Sequence, residues 1–253
     1  PDQCTDFEKH EVGYLLCPVC GHLNGRYEDS PQFCNAVYTD NAGQEYAANY
    51  LEKEKEQYTE RVREIYKPKA DFLIDSLSQR GEIPETLRFT DIGAGSGYFV
   101  NAIHNWGITK VTGLEVSKAQ VDFGNSMLLK SLLKVIDIDS IGDTISNLDS
   151  EVVSMIGVLE HLQDPRKALE ALAGNVAIRY LFLSVPTFSP SVFFEMVFPE
   201  GMPRQLSGAH THLYTKQSLD WLAREFDFEP VSRWWFGTDF VDLFRFVSVA
   251  LDK

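Results

Sequence analysis

The pattern of apolar and polar positions predicts alternating short strands and amphipathic helices through the middle of the chain. Apolar runs of strand length are separated by segments in which apolar residues recur at helical spacing. The predicted strands are residues 88–92, 110–115, 132–136, 151–156 and 179–185, and the predicted helices are 98–106, 117–129 and 165–173. This alternation is typical of parallel βαβ units, in which helices cover both faces of the sheet.

The first third of the chain follows other patterns. Residues 1–42 are rich in Cys, Gly, Pro and Asn and show little periodicity, which predicts a separate N-terminal segment. Residues 44–66 show a charged helical pattern that Pro68 is expected to interrupt, and a second helix is expected over residues 69–79. The expected domains are the segment 1–42, the N-terminal helices 43–80 and a core over 81–253.

The end of the chain predicts one more helix and a pair of strands. The helix is expected over residues 216–225, and two apolar runs follow it at 230–236 and 244–251. These runs are close enough in sequence to pair antiparallel at the edge of an otherwise parallel sheet. The pattern therefore favours an α/β fold that is wound on both faces.

A glycine-rich loop joins the first strand and helix of this alternation. It runs from Asp91 to Gly97, and its glycines allow the backbone to turn tightly and to approach a ligand closely. Glu115 ends the next apolar run, where a carboxylate can bind both hydroxyls of a ribose. The loop and the two acids therefore predict a nucleotide-like cofactor. NAD is an alternative, although its G-x-G-x-x-G pattern would have glycine where this chain has Tyr98.

The sequence D-x-G-x-G-x-G with a following acid resembles the class I S-adenosylmethionine (SAM)-dependent methyltransferases. The resemblance implies a seven-stranded, mostly parallel, doubly wound sheet. In that family an acid after the third strand binds the adenine amino group; Asp137 is our first choice and Asp139 the alternative. The string Val158–Pro165, VLEHLQDP, also resembles the family's segment after the fourth strand. The cofactor-binding residues implied are Asp91, Gly93, Ala94, Gly95, Gly97, Glu115, Val116, Asp137, Ile138 and Ile156.

Three histidines are candidates for a base that deprotonates the methyl acceptor. His161 follows the fourth strand, and His210 and His212 lie between the fifth strand and the predicted terminal strand pair. Histidine titrates near neutrality and so suits proton abstraction. The alternatives are a structural role for His161, and a metal pair or a solvated loop for His210 and His212. The aromatic segment at about residues 187–215 lies where the family places a substrate lid. Arg204 and Arg233 are then candidates to bind a phosphate-bearing substrate.

All four cysteines lie in the first 34 residues, and their spacing indicates a metal site. Two thiolates on one tight turn can bind the same tetrahedral ion, so a structural zinc is expected at Cys4, Cys17, Cys20 and Cys34. His10 and His22 are possible substitutes for Cys4. A disulfide framework is the alternative.

Composition limits the partners. The formal net charge is −14, which opposes binding to a nucleic acid. No apolar stretch has the length of a membrane span and no signal peptide is visible, so the expected location is the cytoplasm.

Two groups of methyltransferases combine a zinc segment with this loop: zinc-ribbon ribosomal RNA guanine methyltransferases, and sugar methyltransferases of surface-polysaccharide biosynthesis. The strings Gly208–Thr215 and Arg233–Asp239 resemble the second group. The resemblance therefore implies O- or C-methylation of a small acceptor, such as a nucleotide sugar or glycan precursor. An RNA methyltransferase and a non-catalytic cofactor-binding module are the alternatives.

Overall fold

The computed structural model describes residues 5–9, 12–25, 30, 32, 38–39, 54–189, 192 and 212–235. The chain divides into two compact units. The parallel-sheet unit consists of Asp29–Val158 and Arg166–Ser184, and the antiparallel-sheet unit consists of Pro1–Glu28, Leu159–Pro165 and Val185–Lys253. Each unit is described by those of its residues that lie in these ranges.

The strands of the described residues are β1 Thr5–Lys9, β2 Val12–Leu16, β3 Leu23–Gly25, β4 Phe89–Ile92, β5 Val111–Glu115, β6 Leu133–Val135, β7 Val152–Ile156, β8 Tyr180–Ser184 and β9 His212–Leu213. The helices are α1 Lys67–Gln79, α2 Tyr98–Asn105, α3 Lys118–Leu128, α4 Ile141–Ser146, α5 Pro165–Gly174 and α6 Lys216–Glu225. Among the described residues, no helix has the length and apolar character needed to cross a membrane.

The parallel-sheet unit contains five strands in the order β6-β5-β4-β7-β8, and every neighbouring pair is parallel. These are the five strands expected from the apolar runs, each within one residue of its predicted bounds. All four residues of β4 are buried, as expected for the central strand of a sheet covered on both faces. Chain order reverses at β4, with β5 on one side and β7 on the other. In open α/β sheets a crevice forms at the carboxyl ends of the strands at such a reversal.

The expected break at Pro68 is not observed. The described chain is helical from residue 54 to 79; we call this stretch the N-terminal helix. One wide π-helical turn, Val62–Tyr66, directly precedes α1 and lets the chain pass Pro68 without ending the helix. The prediction of an interruption was wrong because a wider turn relieves the missing amide hydrogen bond and the ring clash of proline.

The antiparallel-sheet unit contains a four-stranded sheet in the order β1-β2-β3-β9. Its three N-terminal strands were missed by the sequence analysis, which assigned little periodicity to this segment. β3 pairs with β9, with Leu23 opposite Leu213. Residues of the N-terminal segment and of the predicted lid therefore belong to one sheet. A small core of Tyr14, Leu23, Val192 and Leu213 is fully or almost fully buried in this unit.

Of the predicted terminal strand pair, the first strand can be compared with the structure and is not observed. Residues 230–235 form no strand, and residues 244–251 lie outside the described part of the chain. The parallel sheet accordingly has five described strands instead of the seven that the resemblance implied. Helix α6 agrees with its predicted bounds, because Thr215 and Ser218 form a capping box at its start.

Candidate functional site

The glycine loop begins where β4 ends. The amides of Gly93 and Ala94 both donate to the carbonyl of Leu114 in β5, at 2.8 and 3.0 Å, so the loop starts close to the neighbouring strand. Gly93, Gly95 and Gly97 have φ values of 68°, 53° and 75°. A Cβ on Gly93 would lie 2.4 Å from a methyl group of Val158. The predicted need for glycine is therefore explained by both conformation and space.

Glu115 is held against this loop by backbone amides. Its Oε2 accepts the amide of Gly95 at 2.7 Å, and its Oε1 accepts the amides of Val116 and Ser117 at 2.8 and 3.0 Å. The residue is only 7% exposed. A carboxylate offers about four lone-pair positions, so one on Oε2 stays available for a ligand hydroxyl. The loop and the predicted ribose acid thus form one hydrogen-bonded arrangement.

Asp91 lies buried in β4 beside Glu115. Burial raises the pKa of this carboxyl from 3.8 to about 7, and the negative charge of Glu115 adds to the shift. Ser154 in β7 donates to this carboxyl at 2.6 Å, and that hydrogen bond lowers the pKa of Asp91. Lys69 also favours the ionised form, and its Nζ donates to Ser184 Oγ at 2.9 Å. Lys69 was missed by the sequence analysis, because its position depends on the register of the N-terminal helix.

The remaining predicted cofactor residues follow the ends of β6 and β7. Asp137 is exposed and caps the short turn Ile138–Ser140, with its Oδ1 accepting the amide of Asp139 at 2.9 Å. Ile156 is the half-buried last residue of β7. The structure therefore brings Asp91, Glu115, Asp137 and Ile156 to the carboxyl ends of four neighbouring parallel strands. Which of them contact a ligand stays a prediction.

The candidate bases belong to the antiparallel-sheet unit. His161 is half-buried in the turn Leu159–His161, and His210 lies outside the described residues. His212 is buried, and its Nδ1 lies 3.1 Å from Nε2 of His22. Its Nε2 lies 3.0 Å from the carbonyl oxygen of Leu162. Since a carbonyl only accepts, Nε2 of His212 carries the proton, and both ring nitrogens of His212 are engaged.

The buried side chain of Tyr214 lies beside this histidine pair. The ring of His22 lies 4.8 Å from that of Tyr214, and burial lowers the pKa of His22 to about 4. Tyr214 is 2% exposed, and its hydroxyl has no hydrogen-bond partner among the described residues. Burial and the charge of Glu160 raise the pKa of Tyr214. Sequence reasoning missed this cluster, because its members come from three distant parts of the chain.

Cys17 and Cys20 lie on one tight turn between β2 and β3, and both are free thiols. The amide of Cys17 donates to the carbonyl of His22, and the amide of Gly21 donates to that of Cys17, each at 2.8 Å. Backbone amides of Cys20 and Val19 donate to the Cys17 sulfur and lower the pKa of Cys17. Within the described ranges, no group of three His, Cys, Asp or Glu side chains is arranged to hold a metal. Cys4, Cys34 and His10 lie outside those ranges.

One of the two predicted anion-binding arginines can be compared with the structure. Arg233 is paired with Asp220 of α6 and is therefore neutralised within its own unit. Arg204 lies outside the described residues.

A family profile described as a methyltransferase domain matches residues 58–233. The matched range contains the glycine loop and Glu115. A search of curated protein sequences finds no match.

Solved structures with a similar fold include two methyltransferases at low sequence identity. One is magnesium protoporphyrin IX methyltransferase from Synechocystis PCC 6803, whose structure contains bound S-adenosylhomocysteine (SAH). It is 14% identical in sequence, the match covers 73% of this chain and 89% of that one, and the TM-score is 0.49. A possible histamine N-methyltransferase from Thermotoga maritima is 18% identical and covers 73% of this chain and 81% of its own, with a TM-score of 0.45.

Proposed function

Because this chain belongs to the methyltransferase-domain family and is a SAM-dependent methyltransferase, we propose that it methylates a small sugar or glycan precursor at an oxygen or carbon atom. The observation that carries the cofactor part of this proposal is the contact between Glu115 and the glycine loop. The acceptor part rests on charge and on the resemblance of the C-terminal strings to sugar methyltransferases.

The proposed cofactor site lies at the carboxyl ends of β4, β5, β6 and β7. Glu115 offers its remaining Oε2 lone pair to the ribose, while Asp91 with the loop from Gly93 to Gly97 receives the methionine moiety. In this proposal the adenine is surrounded by Val116, Asp137, Ile138 and Ile156. Bound SAM supplies a methyl group on a positively charged sulfur that is a good leaving group, so the chain mainly aligns the reactants.

His161 is one of the proposed bases, as the sequence predicts. His212 has both ring nitrogens engaged, by His22 and by the Leu162 carbonyl, and is therefore less suited to accept a proton. His210 stays a candidate from the sequence. A hydroxyl or an activated carbon of the acceptor would lose its proton to this base during methyl transfer.

The cysteine turn fits a structural zinc ion. Two free thiols on one turn, with backbone amides directed at sulfur, provide half of a tetrahedral ligand set. Cys4 and Cys34 are the proposed remaining ligands, as the sequence predicts. Zinc there would add folding free energy to a unit whose described core is small.

Labelled methyl transfer tests the acceptor class. Purified protein is incubated with methyl-tritiated SAM and, separately, with nucleotide sugars, free sugars and total RNA. We expect label in a sugar pool, and we expect its loss in Glu115→Ala but not in Asp149→Ala, which removes an exposed carboxylate. Label in RNA, or in none of the sugar pools, would contradict the proposed acceptor.

Calorimetric titration tests the cofactor independently of the acceptor. SAH should bind the wild-type protein and bind the Glu115→Ala variant much more weakly. Heat with NAD and none with SAH would show that the loop is a dinucleotide site.

A further inference from the structure

The N-terminal helix contains one wide turn directly before Pro68. The amide of Lys67 donates to the carbonyl of Val62, five residues back, so Val62–Tyr66 is π-helical. Proline has no amide hydrogen, and its ring clashes with the carbonyl four residues earlier in a regular α-helix. Short π-helical turns are frequent at functional sites. The side chains that this turn positions are therefore candidates for a functional role.

The wide turn brings two tyrosines to one side of the helix. Tyr58 and Tyr66 are eight residues apart, which in a regular helix of 3.6 residues per turn leaves them offset by about 80°. A π-helical turn advances less per residue and reduces this offset. Both rings stack on Tyr98, with centroid distances of 4.7 and 5.1 Å and interplanar angles of 29° and 15°.

Tyr98 is the first residue of α2 and directly follows the glycine loop. It is 5% exposed, its hydroxyl donates to Glu54, and the guanidinium of Arg61 lies 4.7 Å from its ring centroid. The stack therefore attaches the N-terminal helix to the residue at which the loop becomes a helix. Aromatic stacking of this kind stabilises a contact beyond the area that it buries.

Tyr58 also contacts the loop itself. Its hydroxyl donates to the carbonyl of Ser96 at 3.1 Å and is hydrogen-bonded to the side chain of Asn101 in α2. Tyr58 is 2% exposed, and burial raises its pKa to about 12, so the hydroxyl stays protonated and can donate. Ser96 follows Gly95, whose amide binds Glu115. The loop is thus bonded on one side to the ribose acid and on the other to Tyr58.

We propose that Tyr58 is a positioning residue for the cofactor, acting through the Ser96 carbonyl to hold the Gly95 amide and Glu115 in the geometry that receives ribose. The π-helical turn is the device that allows Tyr58 and Tyr66 to stack on Tyr98 together. This inference rests on the proposed cofactor function of the loop. Cofactor affinity would then depend on Tyr58, which lies on the N-terminal helix and not in the sheet or the glycine loop.

The test compares Tyr58→Phe with Tyr180→Phe. Each variant loses one tyrosine hydroxyl. Tyr180 is the first residue of β8, and its hydroxyl donates to Glu82 at 2.7 Å. We expect Tyr58→Phe to weaken SAH binding by about five- to ten-fold, the size of one lost hydrogen bond. Amide hydrogen exchange over residues 93–98 should accelerate in this variant. Tyr180→Phe should bind SAH within about two-fold of the wild type.

A double-mutant cycle separates positioning from general stabilisation. If Tyr58 acts through Glu115, the affinity loss caused by Tyr58→Phe should shrink in a Glu115→Gln background. Equal losses in both backgrounds, or SAH affinity within two-fold of the wild type in Tyr58→Phe, would overturn the positioning role alone. A wild-type protein that binds no SAH would instead overturn the cofactor assignment on which the inference rests.

Discussion

At the scale of single residues, Asp91 shows how the fold changes the chemistry of a side chain that the sequence already singles out. The carboxyl is buried and accepts a hydrogen bond from Ser154 at 2.6 Å. Lys69 lies close enough to favour the ionised form, but burial and Glu115 dominate. Neutral pH therefore lies close to the midpoint of its titration, where a positively charged ligand group would promote ionisation.

The raised pKa of Asp91 predicts a pH-dependent loss of stability. Between pH 3.8 and about 7 the folded protein keeps the Asp91 proton and the unfolded chain releases it. The free energy of unfolding contributed by this group is therefore full below pH 3.8 and falls as the pH rises to about 7. Relative to Asp91→Asn, we expect the ligand-free wild type to lose up to a few kcal/mol over this window.

Urea unfolding at a series of pH values measures this difference. Asp149→Asn is the matched control, because Asp149 is exposed. A wild type whose stability runs parallel to that of Asp91→Asn from pH 4 to pH 7 would contradict a raised pKa.

The residues of the cofactor loop were predictable, while those that hold it in place were not. Asp91, the glycines and Glu115 follow from a local motif and from the rule that ligands bind at the carboxyl ends of parallel strands. Lys69 and Glu54 reach the site region from the N-terminal helix, whose register includes a π-helical turn. A sequence pattern based on 3.6 residues per turn does not contain that information.

At the scale of elements, buried parallel strands were predicted within a residue and the antiparallel sheet was missed. In runs such as Val152–Ile156 every residue but Ser154 is apolar, so such runs are recognisable from the local sequence. β3 is three residues long and pairs with β9, with Leu23 opposite Leu213, so the two strands are far apart in sequence. Pairing over such a distance leaves no periodic signal in either segment.

The histidine pair is expected to stabilise this long-range strand pairing. His212 contacts His22 beside β3 and the Leu162 carbonyl in the segment after β7. His212→Leu would leave the half-buried Leu162 carbonyl and the half-buried His22 imidazole without these partners, which costs about 1 kcal/mol or more. We expect a corresponding decrease in the free energy of unfolding, measured by urea titration.

His104→Leu serves as the control for this prediction. His104 is half-buried on α2; its Nδ1 lies 3.3 Å from the Ile108 carbonyl oxygen, and its Nε2 contacts the Nζ of Lys130 at 2.7 Å in an exposed position. Its substitution should destabilise the protein by less. Similar losses for both variants would show that the His22–His212 contact contributes nothing specific.

At the scale of the whole molecule, the net charge distinguishes between the acceptors considered above. A net charge of −14 repels RNA phosphates at long range, and phosphate neutralisation supplies most of the affinity of nucleic-acid-binding proteins. Arg233, one of two arginines considered for anion binding, is already paired with Asp220. Both observations favour an acceptor that is recognised by hydrogen bonds and shape.

Zinc removal should affect the antiparallel-sheet unit and leave the cofactor loop intact. The Cys17–Cys20 turn connects β2 to β3, whereas the loop and Glu115 are held by hydrogen bonds within the parallel-sheet unit. We expect about one zinc per purified chain, as for a tetrahedral structural site. Chelation, or Cys17→Ser, should lower the melting temperature, because structural zinc contributes folding free energy. Below that temperature, SAH affinity should stay within about two-fold of the untreated protein. A metal-free protein that melts unchanged would show that these thiols do not hold zinc.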